Sequence, residues 1–186
     1  MTSRYFDSFV DELQARFAIE DTLKRFSRAV DRKDWAAALA TYHVDAIDEH
    51  GFFSGPADEL IRIVEQMHAH QDHSMHFLSN VLIEFAARDR AFVETYVLVF
   101  QRFTAQAEGA KPGTAGMRRF GTARYLDRFE RRNGEWRVAH RVLVFGDLQD
   151  EPLDKPVAFP PGFVAQRHDM DDVLYALRAK MGLSDS

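Results

Sequence analysis

Apolar residues between Tyr5 and Val30 recur at helical spacing: Phe6, Phe9, Val10, Leu13 and Phe17, then Ile19, Leu23, Phe26 and Val30 after a small phase shift. This spacing predicts one long amphipathic helix. Asp34 precedes Trp35-Ala-Ala-Ala-Leu-Ala40, where its carboxylate can accept from the free N–H groups of a new first turn, so a second helix restarts there with Asp34 as its cap. Residues Ala46–Ser54 read as a short strand ending near Gly55-Pro56, and the proline suits the start of a third helix running through Met67. Four long strand-like runs follow: Met75–Ala87, Ala91–Ala105, Met117–Arg131 and Glu135–Leu148. Turn signals separate them at Ala87-Arg-Asp-Arg90 and at Arg132-Asn-Gly-Glu135, where Asn133 and Gly134 tolerate the positive φ of a tight hairpin. The stretch from Gln106 to Gly116 has no periodicity and reads as a flexible loop. Beyond Asp150 a Pro-rich segment, Glu151–Phe163, should be extended, and a last helix from about Asp169 to Met181 should stop at Gly182.

Hairpin-linked strands after a helical first third predict an α+β protein with one antiparallel sheet and helices on one face. Strands of this length twist and curl, so the sheet should wrap the helices as a cone and leave a concave mouth. Residues 1–150 are expected to form this domain, with 151–186 as an extension and helix packed on it. The 186 residues, 46% hydrophobic with 16 Phe, suffice for one substantial core. A formal net charge of -5 offers no basic stripe, so a nucleic-acid partner is not expected. The absence of cysteine excludes disulfides, a thiol nucleophile and thiolate metal sites. The first ten residues lack a basic start followed by an apolar run, and no stretch is long enough to span a bilayer, so a cytoplasmic protein with no membrane partner is expected.

The chemistry-bearing candidates are few. Asp31 ends the first helix, where the macrodipole disfavours an anion; either solvent with Arg28, Arg32 and Lys33 holds it, or a buried partner does. In the first long strand, strict alternation puts His76, Leu78, Asn80 and Leu82 on one face and Phe77, Val81, Ile83 and Phe85 on the other, so His76 and Asn80 share a face with leucines, as in an apolar pocket with a few polar groups. Either that histidine is a satisfied core residue or it is a pocket group. Arg141 lies in the last strand among residues apolar on both faces: Trp136, Val138, Val142 and Val144 on one, Ala139, Leu143 and Phe145 on the other. It either pairs with a carboxylate or binds an oxygen of a ligand. Tyr42, Asp48, His50 and Tyr125 are outer pocket candidates, and His140, on the opposite face from Arg141, reads as structural. The run His68-Ala-His70-Gln-Asp72-His73-Ser-Met-His76 straddles a helix end and a strand start and matches no metal motif, so no metal is expected. There is no Gly-x-Ser-x-Gly elbow and no Gly-x-Gly-x-x-Gly fingerprint, and the glycines of the 106–116 loop lack the Gly-Lys-Ser/Thr of a phosphate loop.

Four segments resemble the SnoaL-like branch of the nuclear transport factor 2-like superfamily, which includes scytalone dehydratase, bile-acid 7α-dehydratase, a hexachlorocyclohexane dehydrochlorinase and polyketide cyclases. They are Arg25-Phe-Ser-Arg-Ala-Val-Asp31-Arg-Lys-Asp34-Trp35, Asp45-Ala-Ile-Asp-Glu-His-Gly51, His76-Phe-Leu-Ser-Asn80 and Tyr125-Leu-Asp-Arg-Phe-Glu-Arg-Arg-Asn-Gly-Glu-Trp136-Arg-Val-Ala-His-Arg141. The resemblance spans about residues 8 to 148. It implies a cone-shaped sheet closed by three helices, and an Asp–His dyad at Asp31 and His76 with an arginine at Arg141. Where several family members carry a tyrosine in the first helix, this chain has Phe26, which removes a phenol from the pocket.

The expected activity is β-elimination, typically dehydration, of a small hydrophobic cyclic molecule, with no cofactor. His76 would take a proton from carbon, Asp31 would fix its tautomer, and Arg141 would stabilise developing negative charge. Isomerase or cyclase chemistry could use the same base; ligand binding without turnover, or a structural role like the small subunit of ring-hydroxylating dioxygenases, are the rivals from another class. An apolar outer sheet face makes a homo-oligomer, dimer or trimer, the expected assembly.

Overall fold

The computed structural model describes residues 4–183; the outermost ends of the two expected segments, residues 1–3 and 184–186, lie outside the described residues. The first helix, α1 (Phe9–Val30), starts at Ser8, whose hydroxyl accepts from the backbone N–H of Asp11 at 3.1 Å. Its core stripe is Ala15, Ile19, Leu23, Phe26 and Val30, each large side chain contributing roughly 1.5–3 kcal/mol through burial. Phe9, Val10 and Phe17, which the spacing placed on the same face, are exposed, whereas Phe6 of that set packs edge-on against Phe85 of the sheet, with ring centroids 4.7 Å apart. Asp34 caps α2 (Trp35–Leu39) by accepting from Ala37 N–H at 3.1 Å, as the sequence predicts.

The expected single strand over 46–54 is two strands. β1 (Tyr42–Glu49) ends early, the chain turns back at Gly51 with φ 75°, and β2 (Ser54–Pro56) pairs antiparallel with β1 before α3 (Ala57–Met67) begins. Four long strands follow: β3 (Gln71–Ala87), β4 (Arg90–Thr104), β5 (Gly116–Arg132) and β6 (Glu135–Leu153), the last running five residues beyond its expected end. Asn133 and Gly134 adopt positive φ at the β5–β6 turn.

The six-stranded sheet has the order β2-β1-β6-β5-β4-β3 and is curved but open, with β2 and β3 at its edges. All pairs are antiparallel except β1 with β6, which run parallel because α3 crosses over after β2 and the β3–β6 meander brings β6 back beside β1. The helices fill the concave side, where the core lies. The outer face of β3 and β4 carries exposed Phe77, Phe92, Tyr96, Leu98 and Phe100. Among the described residues no helix is long and apolar enough to cross a membrane.

Bulges decide which side chains reach the concave side. In β3 an extra residue at Asn80 (φ 48°) reverses the alternation, so that His76 and Leu78 face inward before it, and Val81, Ile83 and Phe85 after it. In β6 the extra residues are Ala139 and Gly146. Trp136 and Val138 therefore share the inner face with Arg141, Leu143, Phe145 and Leu148, which a strict alternation would have divided. Such bulges bend the strand and increase its twist, which is how a sheet of long strands comes to wrap its helices.

Beyond β6, residues 154–172 cross back over the body without regular structure. Asp172 caps α4 (Val173–Lys180) by accepting from Leu174 N–H at 3.0 Å, and Gly182, at φ 71°, follows its end.

Candidate active site

Asp31 follows the last turn of α1 and is buried, with three donors converging on its carboxylate from β3. Ser74 Oγ and His76 Nδ1 both reach Oδ1, at 2.8 and 2.6 Å, and the backbone N–H of His76 reaches Oδ2 at 2.9 Å. Burial pushes the Asp31 carboxyl up, but the hydrogen bonds and charge of His76, helped by Ser74, outweigh it and hold the group below its ordinary value. Asp31 is thus a carboxylate, and its contact keeps a proton on Nδ1 of His76. For the Nε2 nitrogen no hydrogen bond is seen among the described residues.

His76 stands between two spaces. On one side is a cavity of about 250 Å³ enclosed by α1, α3 and the inner face of β4–β6, with an apolar wall that includes Phe26, Val97, Val99, Tyr125, Leu143 and Phe145. This is somewhat below the range of about 300–1,000 Å³ usual for pockets that take drug-sized ligands. On the other side is a polar groove between α1 and β3, bordered by Lys24, Arg28 and Arg32, which both Asp31 and His76 line. An imidazole so placed can exchange protons with solvent through the groove while facing a greasy cavity.

A second imidazole lines the same cavity. His50 contacts Oδ1 of Asp48 through Nδ1 at 3.0 Å, and Asp48 is fully buried. The other oxygen of Asp48 accepts from the Tyr42 hydroxyl at 2.7 Å, and that hydroxyl accepts in turn from Arg141 Nη1 at 3.1 Å. Burial raises the Tyr42 phenol well above its ordinary pKa, so it stays protonated and donates to Asp48. Arg141 is fully buried in a bidentate pair with Asp127, at 2.7 Å through both Nε and Nη2, and is stacked 3.9 Å from the Tyr125 ring centroid and 4.5 Å from that of Phe26. Burial alone would weaken its proton affinity; the charge of Asp127 more than reverses this, and the guanidinium stays charged.

The structure therefore brings Asp31 and His76 together and puts His50, Phe26 and Tyr125 on the cavity wall. Tyr42, Asp48 and Arg141 lie behind that wall as a connected network rather than on it. Of the two readings the sequence left for Arg141, the structure has the carboxylate pair. Asn80 does not share the inner face with His76: it is exposed at the β3 bulge, because only a residue tolerant of positive φ fits there. His140 pairs with Glu49 at 2.8 Å, away from the cavity.

Sequence reasoning missed four participants. Ser74 and Asp127 were legible in principle, because each lies two residues from a chosen site residue on the same strand face, Ser74 from His76 and Asp127 from Tyr125. His68 lines the cavity at the end of α3, stacked edge-on with Trp35; burial pushes its imidazole down to about 3. His168, in the C-terminal extension, donates from Nδ1 to the carbonyl oxygen of Asp31 at 2.8 Å, a contact that no local pattern announces.

No curated protein matches the chain. Several solved structures share the fold at low identity. A protein assigned as a scytalone dehydratase from Novosphingobium aromaticivorans is 20% identical, with a TM-score of 0.66 over 85% of this chain and 100% of its own. The hexachlorocyclohexane dehydrochlorinase LinA-type3 from Novosphingobium barchaimii is 21% identical, with a TM-score of 0.66 over 83% of this chain and all of its own. A protein assigned as an aromatic ring hydroxylase from Novosphingobium aromaticivorans is 21% identical, with a TM-score of 0.64 over 75% of this chain and 94% of its own. The SnoaL-like domain matches residues 11–142, well over half of the sequence, and the chain belongs to that family.

Proposed function

We propose that the protein is a cofactor-independent lyase that eliminates water, or a comparable small leaving group, from a hydrophobic cyclic substrate. The observation that carries this reading is the 2.6 Å contact of His76 Nδ1 with the Asp31 carboxylate, on the wall of an apolar cavity. Nε2 of His76 takes a proton from the carbon next to a carbonyl; the electron pair forms the new double bond, and the bond to the β-leaving group breaks. Asp31 offsets the charge of the imidazolium that forms. His50, backed by Asp48, supplies the proton with which a hydroxide leaves as water. The proton on His76 then passes to solvent through the polar groove, and His50 is reprotonated. No electrons are transferred, so the step needs no redox group. Arg141 acts as a positioning residue: paired with Asp127, it anchors Tyr42 and Asp48 and packs beneath Phe26 and Tyr125.

The test is turnover of cyclic β-hydroxy ketones such as 3-hydroxy-1-tetralone, followed by absorbance of the conjugated product, with a polychlorinated cyclohexane assayed for chloride release. Replacing His76 by Ala should lower kcat/KM by about 10²–10⁴ while ligand binding persists. Undiminished activity in that variant would remove the mechanism. The presence of two carboxylate-backed imidazoles on one cavity also supports a second reading, isomerisation, in which one histidine removes a proton and the other returns it at a different atom; a product of unchanged mass would favour it.

A further inference from the structure

We infer that the C-terminal extension is a built-in clamp on the Asp31–His76 pair, with His168 as its positioning residue. The inference rests on the pair being the chemical centre proposed above. Three contacts from the extension land on the two backbone segments that carry the pair. His168 Nδ1 donates to the carbonyl oxygen of Asp31 at 2.8 Å; Gln166 Nε2 donates to the carbonyl oxygen of Ser74 at 2.7 Å; and the Asp172 carboxylate forms a 3.4 Å ion pair with Arg32. Ser74 is also the residue whose hydroxyl holds Asp31. The clamp therefore ties the C-terminal end of α1 to the start of β3, the two elements whose relative position sets the contact between Asp31 and His76.

The local sequence explains how His168 is presented. Arg167 turns outward to bind Asp169 through Nε and Nη2, both at 2.8 Å, and its backbone N–H donates to Asp172 at 2.8 Å. The resulting knot drives the intervening histidine inward until it is only 4% exposed, with its ring 5.4 Å from that of His68. Burial pushes the His168 imidazole down to about 4, which keeps it neutral and able to donate from Nδ1 at neutral pH. Pro156, Pro160 and Pro161 stiffen the approach and lessen the entropy lost on seating it. The family match ends at residue 142, so it assigns nothing to this segment. Among the described residues, none beyond 153 lines the cavity, so a clamp of this kind alters the geometry of the pair and leaves ligand contact alone.

The experiment uses the full chain labelled with ¹⁵N-histidine and follows solvent exchange of the His76 Nδ1 proton by NMR. In His168→Ala this exchange should accelerate about fivefold, the worth of one hydrogen bond. It should return to the native rate in His168→Asn, whose amide reproduces the donor, while core amides such as Val93 and Phe129 keep their protection. Gln166→Ala should act in the same direction, and its exchange rate decides the question if His168→Ala fails to fold. Unchanged His76 exchange in the folded variants, or an equal acceleration at the core amides, overturns the clamp. On 3-hydroxy-1-tetralone, His168→Ala should lower kcat with KM unchanged. If the native protein turns over neither this ketone nor the chlorinated ring, the lyase reading fails by itself, and the exchange rates still judge the clamp.

Discussion

Replacing Arg141 by Met separates a structural from a ligand-binding arginine, because the two roles predict opposite losses. The guanidinium and the Asp127 carboxylate are both fully buried and share two 2.7 Å hydrogen bonds. At about 4 Å between charges and an effective dielectric near 20, their attraction is worth about 4 kcal/mol. Methionine fills much of the same space against Phe26 and Tyr125, so little packing is lost, but it strands the Asp127 carboxylate without a partner. Breaking one side of such a pair costs about 3–5 kcal/mol. For a chain of this length that corresponds to a fall in Tm of roughly 6–20 °C. The double variant Arg141→Met with Asp127→Leu removes both charges and should recover most of the loss, because replacing a whole buried pair by apolar side chains is often close to neutral. Urea denaturation of the four proteins in this cycle should therefore give a coupling energy of about 3 kcal/mol or more between the two positions. A single variant that loses less than about 1 kcal/mol and yet no longer binds ligand would overturn the structural role and return Arg141 to the substrate.

Acid stability follows from two buried histidines held well below the value of about 6.5 for an unfolded chain, His68 at about 3 and His168 at about 4. As pH falls from 6.5 towards 4 the unfolded chain takes up protons that the folded one refuses, so stability is full above 6.5 and declines with a limiting slope of about 2.7 kcal/mol per pH unit. Urea midpoints at pH 7, 6 and 5 should drop accordingly, and His68→Asn should halve the slope; a flat profile would contradict it. At the β3 bulge, Asn80→Val should cost about 1–2 kcal/mol because φ is 48°, and Asn80→Gly should be close to neutral; thermal melts distinguish the two.

How much of this was legible in the sequence depended on whether the information was local. The caps at Asp34 and the Asn133-Gly134 turn depend on side chains within a few residues of the backbone they satisfy, and both sit where the pattern places them. The four long strands were equally plain from alternation. Alternation misled where a bulge intervened, because one inserted residue transfers every later side chain to the other face, and nothing in Ser79-Asn80-Val81 or Val138-Ala139-His140 states how the partner strand will pair. The same limit governed the site. Asp31 and His76 could be singled out as a pair only through a family resemblance. Their contact joins a helix end to a strand, and the three donors that hold Asp31 below its ordinary pKa come from 43 to 45 residues away.

The charge distribution around the cavity follows a division of labour that strengthens the proposed chemistry. Arg141 and Asp127 neutralise one another in full burial, so their charge is satisfied internally, and their rigidity is passed on through Tyr42 to Asp48. His50 and His76 are different: each is partly accessible, each lines the cavity, and each has one nitrogen occupied by a carboxylate. Groups that must change protonation during turnover need access to a proton source, whereas groups that fix geometry must not titrate. The polar groove beside Asp31 and His76 provides that access on the side away from the apolar wall. A protein that only stored a hydrophobic ligand would gain nothing from the burial of Asp31 and Asp48, because an unreactive apolar surface would bind as well without the cost of desolvating two carboxylates.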